Sequence, residues 1–296
     1  MTVPKRLGIT GGAGQVGALL TGQARLAGYA VRSASHSALD ITDAAAVADW
    51  VGGADLVINC AAYTNVDAAE SDPGTAAAVN GVGPGILARA CAETGAGLIH
   101  LSTDYVFAGD GDRPYEVTDP VGPRSVYGTT KLAGEYAVLA AHPNPSVVRT
   151  SWVYTGGSGT DFVAVMRRLA TTTDQVLDVV DDQTGSPTYA VDLVAALLQI
   201  AAGGVGGPIL HAANAGGVSR YEQARAIFAE LGEDPDRVRP ASTADVPRPA
   251  PRPVYSVLGS QRSAAAGLSP LRPWREALAE ALAVPVDQQR IPSTGA

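Results

Sequence analysis

The sequence predicts an α/β fold, a doubly wound parallel sheet followed by a smaller C-terminal α/β lobe. Three observations predict it. Short apolar runs alternate with helical patterns through the first half of the chain, as βαβ units do. A glycine-rich turn, Thr10-Gly11-Gly12-Ala13-Gly14-Gln15-Val16-Gly17, joins the first apolar run to the first helical pattern. After about residue 155 the rhythm loosens and prolines accumulate. Right-handed crossovers make the doubly wound arrangement the default for such strands, so the first half reads as Rossmann-type.

The elements follow in order. Leu7–Thr10 reads as a strand ending in the glycine turn, and Gln15–Ala27 as a helix. Tyr29–Ser33 is a strand, Ala44–Val51 a short helix and Leu56–Cys60 a buried strand. Thr75–Thr94 reads as one helix, Leu98–Ser102 as a strand, Val126–Ala141 as a helix and Ser146–Thr150 as a strand. Beyond them, Phe162–Ala170, Ala190–Ala201 and Arg220–Leu231 have helical patterns, while Gln175–Val180 and Pro208–Ala212 are strand-like. Pro240–Pro253 is too rich in proline for a helix interior or central strand and reads as an ordered connector. The tail after Pro285 reads as frayed. The expected division is 1–155 for dinucleotide binding and 156–296 mainly for substrate, with some segments returning to the first part.

The composition narrows the function classes. The 296 residues are 46% hydrophobic and 17% charged, enough apolar material for a full core. A net charge of -8 with no basic block argues against nucleic acid or an anionic membrane as partner. No apolar run is long enough for a signal peptide or a membrane span. Two cysteines, Cys60 and Cys91, make no disulfide framework and suit a reducing cytoplasm. The histidines (36, 100, 142 and 211) show no metal-ligand spacing, so no protein metal site is expected.

The glycine turn is the first chemical signal. Gly12, Gly14 and Gly17, or Gly11, Gly14 and Gly17, let the backbone turn sharply and approach a pyrophosphate at a helix N-terminus. A usual NAD site places an acid about 20 residues on, at the end of the second strand. Here that stretch is Arg32-Ser33-Ala34-Ser35-His36, with a cation and no carboxylate, which tolerates a 2′-phosphate. Arg32 points either to that phosphate or to solvent. Asp40 either reaches the adenine amino group or starts the next helix.

The second signal is Tyr127-Gly128-Thr129-Thr130-Lys131. Residues i and i+4 share a helix face. A nearby ammonium lowers a phenol pKa, and such a phenol can protonate a carbonyl oxygen as hydride arrives. The chain has only two lysines, Lys5 and Lys131, so one of them at this spacing is informative. Thr103 or Ser102, at the end of the fourth strand, is placed to orient the carbonyl. Asp104 is either beside the substrate or a turn acid. Ala61-Ala62-Tyr63-Thr64-Asn65 ends the third strand at the same sheet edge, where small residues allow close approach to a cofactor. Asn80 either ties strand to helix or relays protons through water.

Longer runs carry a resemblance. Asn59-Cys60-Ala61-Ala62-Tyr63-Thr64-Asn65-Val66-Asp67, Ser102-Thr103-Asp104-Tyr105-Val106-Phe107, Arg149-Thr150-Ser151-Trp152-Val153-Tyr154 and Asp182-Gln183-Thr184-Gly185-Ser186-Pro187-Thr188 stand out. With Arg252–Ser256 and Trp274–Leu278, they resemble the extended short-chain dehydrogenase/reductase superfamily. Within it they resemble the dTDP-4-dehydrorhamnose reductase family, in its actinobacterial and particularly mycobacterial form. The resemblance implies hydride transfer from NADPH, with NADH accepted, to C4 of dTDP-4-keto-L-rhamnose, giving dTDP-L-rhamnose for cell-wall polysaccharide.

By motif position it implies Tyr127 as proton donor and Lys131 on the nicotinamide ribose. Thr103 would orient the sugar carbonyl, with Asp104, Tyr105 and Trp152 on the sugar. Gly11, Gly14, Gln15, Val16, Gly17, Asp40, Ile41, Ala61, Ala62 and Tyr63 would line the cofactor. Some relatives form a dimer bridged by Mg²⁺ through glutamates, one just after the glycine turn. Here Gly17-Ala18-Leu19-Leu20 has no acid, so a monomer or a metal-free homodimer is expected. A nucleotide-sugar epimerase or dehydratase, or a non-catalytic NADP-binding subunit, shares the fold. The Asp104-Tyr105 pair lacks the second acid that dehydratases use.

Overall fold

The computed structural model describes residues 6–157 and 159–284. In the first half β1 (Arg6–Thr10), α1 (Gln15–Leu26), β2 (Ala30–Ala34), α2 (Ala44–Val51) and β3 (Leu56–Asn59) follow one another. Next come α3 (Val66–Ser71), α4 (Pro73–Ala77), a π-helical turn (Ala78–Val82), α5 (Gly83–Thr94), β4 (Gly97–Thr103), α6 (Val126–Ala141) and β5 (Ser146–Thr150). The second half holds β6 (Val153–Tyr154), α7 (Phe162–Thr172), β7 (Leu177–Val180), β8 (Thr184–Gly185), β9 (Thr188–Tyr189), α8 (Ala190–Ala202) and β10 (Ile209–His211). It continues through β11 (Asn214–Ala215), β12 (Val218–Ser219), α9 (Arg220–Glu230), β13 (Val238–Ala241), α10 (Gln261–Ala265), β14 (Leu271–Pro273) and α11 (Trp274–Ala283).

The main sheet has the order β10-β5-β4-β3-β1-β2, with every pair parallel. Parallel sheets are covered on both faces. On one face α1 and α8 bury Leu20, Ala24, Leu193, Leu197 and Ile200 against Leu7, Ile9 and Ile58. The buried positions of α1 (Gly17, Leu20, Thr21 and Ala24) recur at helical spacing, which is why that segment is an amphipathic helix. On the other face Val47, Trp50, Leu87 and Val138 meet Val57, Leu98 and Val147. A separate core in the second half gathers Val163, Ile227, Phe228, Trp274 and Leu278. α8 and β10 come from beyond residue 155 yet complete the first-half sheet and its cover.

Three differences from the sequence reading have physical reasons. The expected helix over 75–94 is broken by the π turn, which carries Asn80 inward. Asn65 caps an unforeseen short helix, α3, accepting from the Ala68 N–H at 3.0 Å. The proline-rich connector begins later than expected, since Pro240 lies in β13. Among the described residues that strand pairs only with β7, so a residue lacking an N–H is tolerated there. The tail after Pro285 falls outside the described residues. No helix among the described residues is long and apolar enough to cross a membrane.

Candidate active site

A cleft of about 1130 Å³ opens at the C-terminal ends of β1, β3, β4 and β5, where open α/β sheets bind ligands. At one end lies the glycine turn. Gly11 has φ of +66°, and a Cβ there would stand 2.6 Å from the Ala61 nitrogen. A Cβ at Gly17 would stand 2.2 Å from the Gly11 carbonyl oxygen. Side chains at these positions would push the turn away from the strand and the helix. Gly14 is the N-cap of α1 and offers no side-chain cap, so the first-turn N–H groups remain open to an anion. Asn59 locks the floor beneath. It accepts from Thr10 Oγ1 at 2.6 Å and from the Ala61 N–H at 3.0 Å, and its amide nitrogen lies 2.9 Å from His100 Nδ1.

The reactive groups sit midway along the cleft, on α6 and the end of β4. Ser125 caps α6 by accepting from the Gly128 N–H at 3.1 Å, and Glu70 accepts from the Val126 N–H at 2.8 Å. Gly128 is required, because a Cβ there would meet the Tyr105 carbonyl oxygen at 2.3 Å. The helix therefore seats Tyr127 directly beside the 104–106 turn. The Tyr127 ring stands edge-on to Tyr105, centroids 5.6 Å apart. Burial pushes the Tyr127 phenol above its ordinary range, hydrogen bonding to Thr103 pulls it back, and Asp104 and Tyr105 add to the rise. This corrects the expectation that Lys131 lowers the phenol. Lys131 is buried and donates to the Leu101 carbonyl at 2.7 Å. Burial brings Lys131 down to about 8, against the pull of Glu135.

Of the two hydroxyls at the end of β4, the structure separates the roles. Ser102 donates to Glu135 Oε1 at 2.5 Å, and Arg149 donates to both Glu135 oxygens at 2.9 and 2.7 Å. Ser102 is thus tied into a buried network behind the site, leaving Thr103 beside Tyr127. Asp104 faces the cleft, but its carboxylate accepts from Thr103 at 3.0 Å, Ser151 at 2.9 Å and Ser256 at 2.6 Å. It organises the wall between the two halves of the chain.

Most of the site residues singled out from the sequence line this one cleft, though Gly12, Arg32 and Asn80 do not. Lining it are Gly11, Gly14, Gln15, Val16, Gly17, Asp40, Ile41, Ala61, Ala62, Tyr63, Thr103, Asp104, Tyr105, Tyr127, Lys131 and Trp152. Asp40 turns its carboxylate onto the Thr42 N–H and hydroxyl, at 2.9 and 2.7 Å. The cap of α2 is instead Asp43. Arg32 does not line the cleft and takes its solvent-facing alternative, being exposed. It lies over the Trp50 ring and donates to the Trp50 carbonyl at 2.8 Å. Asn80 takes its structural alternative, gripping Tyr63 and Thr130. Sequence reasoning missed Arg220, which reaches the cleft from the second half.

Comparison with known proteins agrees with this arrangement. The family model described as RmlD substrate binding domain matches residues 5–285. The dTDP-4-dehydrorhamnose reductase of Mycolicibacterium smegmatis is 62% identical, covering 95% of this chain and 86% of its own. The enzyme of that name from Mycobacterium tuberculosis is 59% identical over 98% of both chains. A solved dTDP-4-dehydrorhamnose reductase from Bacillus anthracis, in complex with NADP, superposes with a TM-score of 0.89 at 35% identity. That superposition covers 95% of this chain and 98% of the other. Identity of this degree along nearly the whole length makes the chain a member of the dTDP-4-dehydrorhamnose reductase family.

Proposed function

We propose that the protein reduces the C4 keto group of dTDP-4-dehydro-β-L-rhamnose to give dTDP-L-rhamnose, the last step in making that sugar donor for cell-wall polysaccharide. The observation that carries this reading is the convergence of Tyr127, Thr103 and Lys131 in one cleft with an uncapped glycine turn. Residues 1–155 would hold the cofactor, and residues from 156 onward would mainly hold the sugar nucleotide. Two free thiols suit a reducing compartment, and we assign the enzyme to the cytoplasm.

The residues present fit a dinucleotide. The lack of a Cβ at Gly11 and Gly17 lets the turn pack tightly against Ala61 and the start of α1, and the open N–H groups of α1 would hold the pyrophosphate. Asp40 and Ile41 would border the adenosine end, with Ala61, Ala62 and Tyr63 along the middle. Bound NADPH supplies the hydride. Thr103 then orients the keto oxygen toward the Tyr127 phenol. Because burial keeps that phenol protonated, it is ready to give its proton to the oxygen as negative charge develops there. Lys131, anchored on Leu101, holds a positive charge beside the reacting centre.

The test is NADPH absorbance in the presence of dTDP-4-keto-L-rhamnose. One NADPH consumed for each keto sugar reduced is expected. Product formed without net NADPH loss would mean an epimerase, and binding without turnover would mean a regulatory subunit.

A further inference from the structure

The cleft wall built by the second half carries a cation for which the reaction above assigns no task. Arg220 is the first residue of α9, and its surroundings fix it from several sides. Ser219 and Glu222 form a capping box that sets the helix start. The Arg220 N–H donates to the Gln183 carbonyl at 3.2 Å. Its guanidinium lies 3.4 Å from the centroid of Trp152 and 4.7 Å from that of Phe162. Nη1 donates to the buried Gln223 Oε1 at 3.3 Å.

Trp152 is itself held in an uncommon state. Its φ of +47° is the one positive value outside glycine among the described residues. Such backbone persists only where the surroundings enforce it, and it clusters at functional sites. The enforcement is visible. β8 pairs antiparallel with β12, placing Gly185 opposite Val218, just ahead of Arg220. A Cβ at Gly185 would stand 2.5 Å from the Trp152 ring. One short ribbon therefore delivers both the flat glycine contact and the arginine onto the same indole.

The guanidinium makes no salt bridge among the described residues. Asp104 acts on it through space, but all the donors to that carboxylate are hydroxyls of Thr103, Ser151 and Ser256. Burial brings Arg220 down only to about 10, so it remains a cation at neutral pH. A desolvated cation without a counter-charge is costly until an anion meets it. Stacking on the rings leaves the guanidinium N–H groups other than the one given to Gln223, and it is N–H edges that meet phosphate oxygens in a bidentate way.

The geometry points to Arg220 as the residue that grips the diphosphate of the nucleotide sugar, with Trp152 as the platform that holds its edge toward the cleft. This rests on the nucleotide-sugar reading above. Thr103 and Tyr127 take the keto end of the sugar. The diphosphate leaves the opposite side of the ring, at C1. Asp104 and Tyr105 lead from Thr103 toward Arg220, so the anion would fall at the Trp152–Arg220 wall. The other side-chain ammonium or guanidinium lining the cleft, Lys131, is committed to Leu101.

The probes are dTDP and thymidine, titrated calorimetrically into wild type, Arg220→Gln and Arg220→Lys, with NADPH titrated separately. In Arg220→Gln the dTDP affinity is expected to fall about thirtyfold, with thymidine and NADPH within about twofold of wild type. Arg220→Lys, a point charge without the fork, should lose less. An undiminished dTDP affinity, or equal losses of dTDP and thymidine affinity, overturns the proposal. If Arg220→Gln no longer binds NADPH and so has not folded, Arg220→Lys decides. An unchanged ratio of dTDP to thymidine affinity in that variant is then the contrary result. Turnover of the keto sugar by wild type tests the reaction separately. Turnover with an Arg220-independent dTDP affinity sinks this assignment alone, whereas an Arg220-dependent affinity without turnover sinks the reaction alone.

Discussion

In the proposed mechanism Tyr127 is the acid, and its buried surroundings would keep the proton on it until an oxyanion forms. Tyr127→Phe should fold with unchanged NADPH affinity and lose about 10²–10⁴ in kcat, the range general acid catalysis supplies. Wild-type-like turnover would remove the mechanism. Lys131 has the opposite pH problem. Burial lowers it to about 8, so its charge disappears as pH rises through that value. The basic limb of kcat/KM should therefore fall near pH 8. Glu135, at i+4 on α6, pulls Lys131 up, so Glu135→Gln should move that limb to lower pH. It also breaks a buried pair with Arg149, at a cost of about 3–5 kcal/mol, so a lower Tm is expected as well. A limb that stays in place while Tm falls would make Glu135 purely structural. At this scale the sequence was legible where a rare residue type stood at a telling spacing, as Lys131 did. Arg220 was not legible, because an arginine opening a helix resembles any solvated one until β8 and β12 pair.

The π turn between α4 and α5 is the element that shapes the middle of the cleft. Its extra residue turns the Asn80 side chain toward Tyr63. The Asn80 carbonyl oxygen accepts from the Tyr63 N–H at 2.8 Å, and its amide donates to the Tyr63 carbonyl at 3.0 Å and Thr130 Oγ1 at 3.2 Å. One side chain thus replaces a strand partner for the 61–63 loop and ties it to α6. Gly134 lets α6 come this close, since a Cβ there would meet the Asn80 backbone oxygen at 2.1 Å. Asn80→Ala leaves backbone groups of the half-buried Tyr63 without this partner, at a cost of up to about 1–3 kcal/mol. The expected outcome is a lower Tm and a raised KM for NADPH, with KM for the sugar nucleotide less affected. Unchanged KM for both would mean that the loop holds its shape unaided. The π turn was hidden in the sequence because one added residue barely disturbs helical periodicity. The amide in an apolar stretch was its only trace.

Across the whole molecule, residues from both halves of the chain line the one cleft, and the proposed mechanism assigns no task to a metal. The proposed acid is Tyr127, the apolar Ala18-Leu19-Leu20 follows the glycine turn, and Asp104 bridges the halves through hydroxyls. Turnover and mass in solution should therefore survive dialysis against EDTA. Loss of both, restored by Mg²⁺ alone, would reveal ligands this account lacks. The strand order has a further consequence, in time rather than space. A ribosome releases residues in sequence, and β10 comes after the whole first half. Until residues 190–202 have emerged α8 is absent from its seat on α1, and until His211 has emerged β5 remains a bare edge. A nascent chain paused near residue 155 is thus an unfinished sheet with an unsatisfied border, open to pairing with its neighbours on the same messenger. The sheet that bears the glycine turn is thus closed only by segments made late in synthesis.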